Sequence, residues 1–224
     1  MTGRPGVLFD VDGTLVDTTY LHAVCWWQAF GQVGTDVSMA RIHRAIGMGS
    51  DHLLDHLLGE DRDRDADAGL ESAHAALHAT YWTRLRPTAG ARSLLQACAD
   101  RGLAVVLASS ASGDELGALR HAIGADDLID AVTTADDVSS SKPSAQMIDV
   151  ALERGGVDRD QAVFVGDSVW DVLAARKAGI PCIGLECGGT SAAELTEAGA
   201  RGVYADPAEL VDKLADSEIT RSAG

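Results

Sequence analysis

The sequence predicts an α/β fold in which helices cover both faces of a parallel sheet and a second, all-helical unit is inserted into the chain. Short aliphatic runs alternate with helical patterns through most of the 224 residues, which is typical of such a covered sheet. Residues 18–84 break this alternation, because they contain several helical patterns and no convincing strand. We therefore assign residues 1–17 and 85–224 to the α/β core and residues 18–84 to the helical insertion.

The strands of the core are predicted from runs of β-branched and aliphatic residues. Helical patterns lie between them and end at glycine, as at residues 91–100, 144–154 and 171–178, where glycine suits a helix C-terminus. Strands and helices in this order predict a Rossmann-like sheet. The predicted strands are residues 7–10, 103–108, 129–133, 162–166, 180–185 and 202–205.

The insertion is predicted to be helical from its hydrophobic spacing. Leu21, Val24 and Trp26 fall on one face of a helix over residues 19–30. The chain returns to the core near Pro87, since proline disfavours helix at the residue before it.

Composition and charge exclude several classes of protein. The formal net charge of −16 argues against a nucleic-acid partner, because binding to a phosphate backbone needs a basic surface. The longest apolar run, residues 103–108, is far shorter than the roughly 20 residues of a membrane-spanning helix, and residues 1–6 contain no signal-peptide segment. We therefore expect a cytoplasmic protein with no membrane partner.

The four cysteines form no C-x-x-C pair and are expected to be buried thiols. The composition predicts no oligomeric state.

An acidic turn follows the first predicted strand and indicates a functional site. Asp10 and Asp12 flank one residue directly after the apolar residues 7–9. Ligands of parallel α/β sheets bind beyond the carboxyl ends of the strands, so these carboxylates are expected to face a site. Gly13 and Thr14 then allow a sharp turn and are expected to offer amide donors to a phosphate.

Two later segments have the residue types of a phosphate site. Ser109 and Ser110 end the strand at 103–108 and precede a helix, where a hydroxyl and free amides form a phosphate cradle. Lys142 precedes Pro143, which is expected to open the helix at 144–154 as its first residue and so fix the lysine at a helix start.

A second acidic pair follows the strand at 162–166. Asp167 and Asp171 are one helical turn apart, so both carboxylates can point into the same crevice. Carboxylates that converge on one point need a cation to relieve their repulsion, and Mg2+ prefers octahedral oxygen ligands of this kind. We expect magnesium as the cofactor.

These four motifs, in this order, resemble those of the haloacid dehalogenase-like superfamily. The resemblance implies that Asp10 is the nucleophile, that Asp12 is the acid and base, and that Ser109 and Lys142 bind the transferred phosphate. It also implies a metal site made by Asp10, the backbone carbonyl of Asp12 and Asp167. Asp171 is expected to bind the metal through water or to hold Lys142 in place.

The position of the insertion resembles the helical cap of phosphoglycolate phosphatase and β-phosphoglucomutase relatives. Such caps close over the substrate, with hinges expected here near residues 17–19 and 85–88. Substrate-binding candidates in this cap domain, residues 18–84, are His22, Gly47, Met48 and Ser50, and His43 and His52 are further candidates for specificity.

The resemblance predicts a magnesium-dependent phosphatase that hydrolyses a small phosphorylated metabolite, of the phosphoglycolate or sugar phosphate type, through an aspartyl phosphate on Asp10. A β-phosphoglucomutase-like phosphomutase is an alternative, because His22 follows Asp17 by five residues as in such mutases. However, Ser50 stands where mutases carry an arginine that grips a second phosphate.

Three other readings are disfavoured. A non-catalytic phosphate-binding protein would be expected to lack one of the motif residues, and a dehalogenase needs neither Asp12 nor Asp167. A zinc site at His74 and His78 lacks a third ligand at compatible spacing, so these histidines are expected to lie solvated or partly buried on a helix face.

Overall fold

The structure is a computed structural model that describes residues 3–111 and 113–222. Its six strands form one sheet in the order β3-β2-β1-β4-β5-β6, and every pairing is parallel. This confirms the predicted α/β class. The strands are β1 Arg4–Phe9, β2 Ala104–Ala108, β3 Ala131–Thr133, β4 Val157–Gly166, β5 Cys182–Leu185 and β6 Gly202–Tyr204.

The central strand β1 is buried on both faces, as its continuous apolar sequence requires. Val7 and Phe9 belong to the hydrophobic core on one face of the sheet, and Leu8 belongs to the core on the other. The helices of the chain are α1 Thr19–Gln32, α2 Met39–Ala45, α3 Ser50–Leu58, α4 Asp67–Ala79, α5 Ala91–Ala99, α6 Gly113–Ile123, α7 Gln146–Gly155, α8 Val169–Ala178, α9 Ala192–Ala198, α10 Pro207–Asp212 and α11 Glu218–Ser222.

One helix start was predicted incorrectly. Pro143 does not open a helix, because α7 begins only at Gln146. The Ser144 amide donates a hydrogen bond to the carbonyl of Ser141 at 2.8 Å, which closes a turn that contains Lys142 and Pro143. Lys142 is therefore placed by a turn and not by the first residues of a helix.

Helices α1 to α4 pack around a hydrophobic core of their own. Trp26 and Phe30 of α1 are buried with Ile42 of α2, Leu54 of α3 and Leu70 of α4. These side chains belong to neither of the two cores that flank the sheet. The insertion is thus a helical unit packed internally, as its hydrophobic spacing requires.

The two segments that connect the insertion to the core are hydrogen-bonded to each other. The Asp17 amide donates to the carbonyl of Arg86, and the Thr88 amide donates to the carbonyl of Leu15, both at 3.0 Å. Residues 16 and 87 pair in the antiparallel sense. That residues 18–84 move as a cap about this pair of segments stays a prediction. Among the described residues, no helix is long and apolar enough to cross a membrane.

Candidate active site

The site lies at the carboxyl ends of three neighbouring strands. Phe9 of β1 is in register with Leu107 of β2 and Val165 of β4. Asp10, Ser109 and Asp167 follow these strands, so the parallel register brings all three to the same edge of the sheet.

Three carboxylates converge at this edge. One carboxylate oxygen from each of Asp10, Asp167 and Asp171 lies within 4.8 Å of the other two, and all three residues are buried. Burial and the charge of Asp171 together raise the pKa of Asp10 to about 7, against the lowering effect of Lys142. Burial and the charges of Asp171 and Asp10 raise the pKa of Asp167 well above its usual range. The Thr14 hydroxyl lies 3.0 Å from Asp167 Oδ1 and 3.3 Å from Asp10 Oδ2.

Lys142 supplies the positive charge in this cluster. Its Nζ forms ion pairs with Asp10 Oδ1 and, at 2.8 Å, with Asp171 Oδ1, and its side chain is only 1% exposed. Burial lowers the pKa of Lys142, but the two carboxylates raise it above its usual range. The ammonium is therefore charged at neutral pH and directed at one oxygen of Asp10.

Asp171 is held from both sides. Ser168 begins α8 with a capping box in which its hydroxyl and amide donate to Asp171 Oδ2 at 2.6 and 3.1 Å. The other oxygen, Oδ1, forms the ion pair with Lys142. Both oxygens are engaged by the protein. The geometry therefore favours a role for Asp171 in positioning Lys142 rather than as a direct metal ligand.

The donor set fits a magnesium ion. Asp10 and Asp167 offer buried carboxylate oxygens, and burial together with repulsion from neighbouring carboxylates raises the pKa of both, a penalty that a bound cation would offset. The backbone also approaches closely here, since a Cβ on Gly188 would lie 1.6 Å from Asp167 Oδ2 and one on Gly13 would lie 2.5 Å from it. Only glycine leaves room around this carboxylate.

Asp12 lies apart from the acidic cluster and is paired with His22. Its Oδ1 accepts hydrogen bonds from Thr18 Oγ1 at 2.8 Å and from His22 Nε2 at 3.1 Å. Desolvation raises the pKa of Asp12, but these two bonds and the charge of His22 lower it overall. Desolvation likewise lowers the pKa of His22, and Asp12 raises it above its usual value. This pairing thus favours an ionised Asp12 beside a protonated His22.

Two more histidines and a glutamate lie behind His22. His22 Nδ1 is 3.1 Å from His74 Nε2, and the ring of His78 stacks on that of His22 with centroids 3.9 Å apart. Burial lowers the pKa of His74 well below its usual value. His78 is fully buried with its Nδ1 2.6 Å from Glu115 Oε1, so the expectation that this histidine is at least partly exposed was wrong.

A cavity of about 220 Å³ borders these groups. Of the residues that the sequence suggested, the cavity is lined by Asp10, Asp12, His22, Gly47, Met48, Ser50, Ser110 and Lys142. It is also lined by side chains that the sequence did not suggest as site residues, among them Trp26, Leu53, Glu71, His74 and Glu115. The volume is below the roughly 300–1,000 Å³ of pockets for drug-sized ligands, which indicates a small ligand.

The chain matches a known protein family over most of its length. The model of the haloacid dehalogenase-like hydrolase family matches residues 7–185. The chain belongs to the haloacid dehalogenase-like hydrolases. The match spans the acidic turn after β1, the insertion and the second acidic pair after β4.

Relatives of this hydrolase match 80% or more of its length. A phosphoglycolate phosphatase from Rhodospirillum rubrum is 31% identical over 93% of this chain and 90% of its own. A validoxylamine A 7′-phosphate phosphatase from Streptomyces hygroscopicus subsp. limoneus is 28% identical over 80% of this chain and 84% of its own. The crystal structure of a hydrolase from Pseudomonas syringae superposes with a TM-score of 0.90 at 32% identity, over 95% and 99% of the two chains.

Several residues expected to bind phosphate in this hydrolase do not line the cavity. The Gly13 amide donates to the carbonyl of Val16 at 2.8 Å, so it closes the loop and is not a free donor. Thr14 bridges Asp10 and Asp167 beneath the cavity. Ser109 is buried and its hydroxyl accepts from the Ala111 amide at 3.0 Å.

Two specificity candidates lie elsewhere in the hydrolase. His43 Nε2 is 3.2 Å from the carbonyl of Gly188 and borders a separate cavity. His52 borders a third cavity near Pro143. Neither residue lines the cavity at Asp10, so neither expectation of substrate contact is met by this geometry.

The residues that the sequence missed carry weak signals of their own. Glu71 has no motif around it. Glu115 lies in the first turn of α6, where an acidic residue is expected for the helix dipole alone.

Cys187 was expected to be a buried thiol, but it is half-buried. Its Sγ lies 3.1 Å from the Gly13 carbonyl, and burial raises the pKa of Cys187 to about 12. The other cysteines are buried.

Proposed function

We propose that this hydrolase is a magnesium-dependent phosphatase that acts on a small phosphate monoester. One observation carries the proposal: Asp10 borders the cavity with one carboxylate oxygen held by Lys142, while Asp12 borders the same cavity beside a proton donor, His22. A nucleophile, a charge that offsets it and an acid are thus directed at one small space. The phosphatase names of two relatives agree with this arrangement.

In the first step, an Asp10 oxygen attacks the phosphorus of the ester in line with the leaving oxygen, and the phosphorus–oxygen bond to the leaving group breaks. This forms an aspartyl phosphate and splits one slow hydrolysis into two transfers. The leaving alkoxide takes a proton that His22 Nε2 passes through Asp12 across 3.1 Å, so that after this step His22 is neutral and Asp12 is a carboxylate again.

In the second step, Asp12 accepts a proton from a water molecule that attacks the phosphorus of the aspartyl phosphate. Inorganic phosphate leaves and the Asp10 carboxylate is restored. Throughout, Lys142 stays charged between Asp10 and Asp171 and stabilises the negative charge that builds up near Asp10.

Magnesium would be held by Asp10 and Asp167, with the backbone carbonyl of Asp12 as the further ligand that the family resemblance implies. When bound it would neutralise charge on the phosphoryl oxygens and allow both carboxylates to stay ionised. Asp171 would act on this metal only indirectly, through Lys142.

Hydrolysis is favoured over phosphomutase activity by the environment of Ser50. A mutase must grip a second phosphate at this loop, which calls for a cation. Here the Ser50 hydroxyl donates to Glu71 Oε1 at 2.5 Å, so the position expected to hold a second phosphate carries an acid. Phosphoglycolate and sugar phosphates, the substrate types that the family resemblance suggests, remain the first esters to test.

The proposal is tested by phosphate release from p-nitrophenyl phosphate, phosphoglycolate and hexose phosphates, with and without magnesium. We expect magnesium-dependent release that falls by at least about 10³-fold in Asp10→Asn, because the amide cannot act as the nucleophile. Asp61→Asn makes the same change at an exposed position and should behave as the parent. Phosphate release that persists in Asp10→Asn, or no release from any ester, would contradict the proposal.

A further inference from the structure

We propose that the natural ester carries a protonated amine on its leaving group and no second acidic group. The inference rests on the proposed phosphatase function and specifies its substrate class. It starts from two carboxylates, Glu71 and Glu115, that line the cavity and take no part in the proposed bond cleavage.

Glu71 and Glu115 reach the cavity from different parts of the molecule. Glu71 lies on α4 of the insertion, and one of its oxygens accepts from Ser50. Glu115 lies on α6 of the core, with one oxygen 2.6 Å from His78 Nδ1 and its side chain 25% exposed. Among the described residues, the second oxygen of each carboxylate has no hydrogen-bond donor. Both can therefore accept from a ligand.

The cations that line the cavity are already paired. Lys142 is held between Asp10 and Asp171, and His22 is directed at Asp12. The lowered pKa of His74 keeps that ring neutral near pH 7. Of the residues that the structure describes, no arginine lines the cavity. A carboxylate or second phosphate on the leaving group would thus meet two like charges and no free positive charge.

An ammonium group has the complementary chemistry. It offers three donors and no acceptor, and it gains Coulomb attraction from Glu71 and Glu115 in a partly buried space where charge interactions are strong. A hydroxyl can donate to the same oxygens but gains no such attraction. The expected order of preference is therefore amine, then alcohol, then acid.

Three esters with the same two-carbon skeleton test this order directly: 2-aminoethyl phosphate, 2-hydroxyethyl phosphate and phosphoglycolate. At pH 7 with saturating magnesium, we expect kcat/KM to be about tenfold or more higher for the amine than for the acid, with the alcohol between them. Glucosamine 6-phosphate, glucose 6-phosphate and 6-phosphogluconate repeat the comparison on a larger skeleton.

The outcomes separate the two proposals. If neither series shows an advantage of the amine over the acid while p-nitrophenyl phosphate is hydrolysed, the substrate inference is wrong and the phosphatase proposal stands. If no ester, including p-nitrophenyl phosphate, releases phosphate with magnesium, the phosphatase proposal itself fails and the substrate inference fails with it.

Glu71→Gln and Glu115→Gln identify the groups responsible, because they keep the shape of the side chain and remove its charge. We expect the ratio of kcat/KM for amine over acid to fall by about tenfold in at least one of them. Because this ratio compares two substrates on the same sample, a partly folded variant does not distort it. Glu197→Gln, at an exposed position on α9, should leave the ratio unchanged. An unchanged ratio in both cavity variants would show that these carboxylates do not select the substrate.

Discussion

Lys142 illustrates how much of this site depends on one side chain. It is a buried cation among buried carboxylates, and burying a charge is costly unless a partner of opposite sign compensates it. Removing only one partner of such a pair leaves the others uncompensated. The charge balance that supports the chemistry therefore also supports the fold.

For Lys142→Met we expect a loss of both stability and activity. In the absence of magnesium, the free energy of unfolding should fall by about 3 kcal/mol, because Asp10 and Asp171 remain buried without their cation. Phosphate release should fall by at least about 10²-fold with the loss of charge stabilisation. Chemical denaturation and steady-state rates measure the two effects.

Lys213→Met is the matched control, since this lysine is exposed and pairs with Glu209 on the surface. It should change neither quantity appreciably. If Lys142→Met were as stable and as active as Lys213→Met, the role of Lys142 in the charge balance would be disproved.

Sequence order was sufficient to suggest the residues closest to the proposed chemistry. Asp10, Asp12 and Asp167 stand directly after apolar runs, and parallel strands end at a common edge. Glu71 and Glu115 could not be found in this way. Their place in the cavity depends on how α4 and α6 pack over the strand ends, and the apolar face of a helix does not report which of its acidic side chains reaches a shared cavity.

At the scale of elements, the start of α8 joins helix stability to the site. The capping box of Ser168 closes the first turn of the helix and at the same time fixes Asp171, which pairs with Lys142. Helix α9 begins with the same capping box at Ser191, formed with Glu194 on an exposed surface. The two helices therefore separate the effect of a cap on stability from its effect on the site.

Ser168→Ala and Ser191→Ala should each lower the free energy of unfolding by about 1 kcal/mol, because each loses an N-cap hydrogen bond. Only Ser168→Ala should also lower kcat, since Asp171 is then free to rotate away from Lys142. Ser168→Thr retains a hydroxyl and should restore activity. Equal activity of the two alanine variants would argue against Asp171 as a positioning residue.

The predicted strands and helices were correct where hydrophobic pattern alone decides the structure. All six predicted strands are present, but β4 begins at Val157, five residues before the apolar run from Ala162. Its first residues include polar and exposed side chains, and Val157 pairs with Arg4 before an irregularity in the register. Backbone pairing extends the strand there, and a hydrophobic pattern does not report backbone pairing.

At the scale of the whole molecule, the acidic cluster connects metal binding to stability. The folded state without magnesium holds protons on Asp10 and Asp167 at pH values where the unfolded chain has released them, because both pKa values are raised on folding. The contribution of these two carboxyl groups to the free energy of unfolding therefore falls as pH rises from about 4 towards about 7. Bound magnesium removes this penalty.

We expect magnesium to raise the melting temperature more at pH 7.5 than at pH 5, since protons compete for the ligand oxygens at the lower pH. Thermal unfolding with and without the ion measures the difference. Asp167→Asn should be more stable than the parent without magnesium at pH 7.5 and should gain little when magnesium is added. An equal gain in melting temperature at both pH values would contradict a metal site built on these carboxylates.

The cavity joins two surfaces with different origins. Asp10 and Asp12 stand at the end of a sheet strand, whereas Ser50, Glu71 and His74 come from the helical insertion. Mutations of cavity-lining residues on α3 and α4 can therefore change which ester is chosen without disturbing how it is cleaved. Over evolutionary time the substrate can diverge faster than the reaction, so relatives that share nearly identical strand ends would still be expected to differ in their metabolic roles.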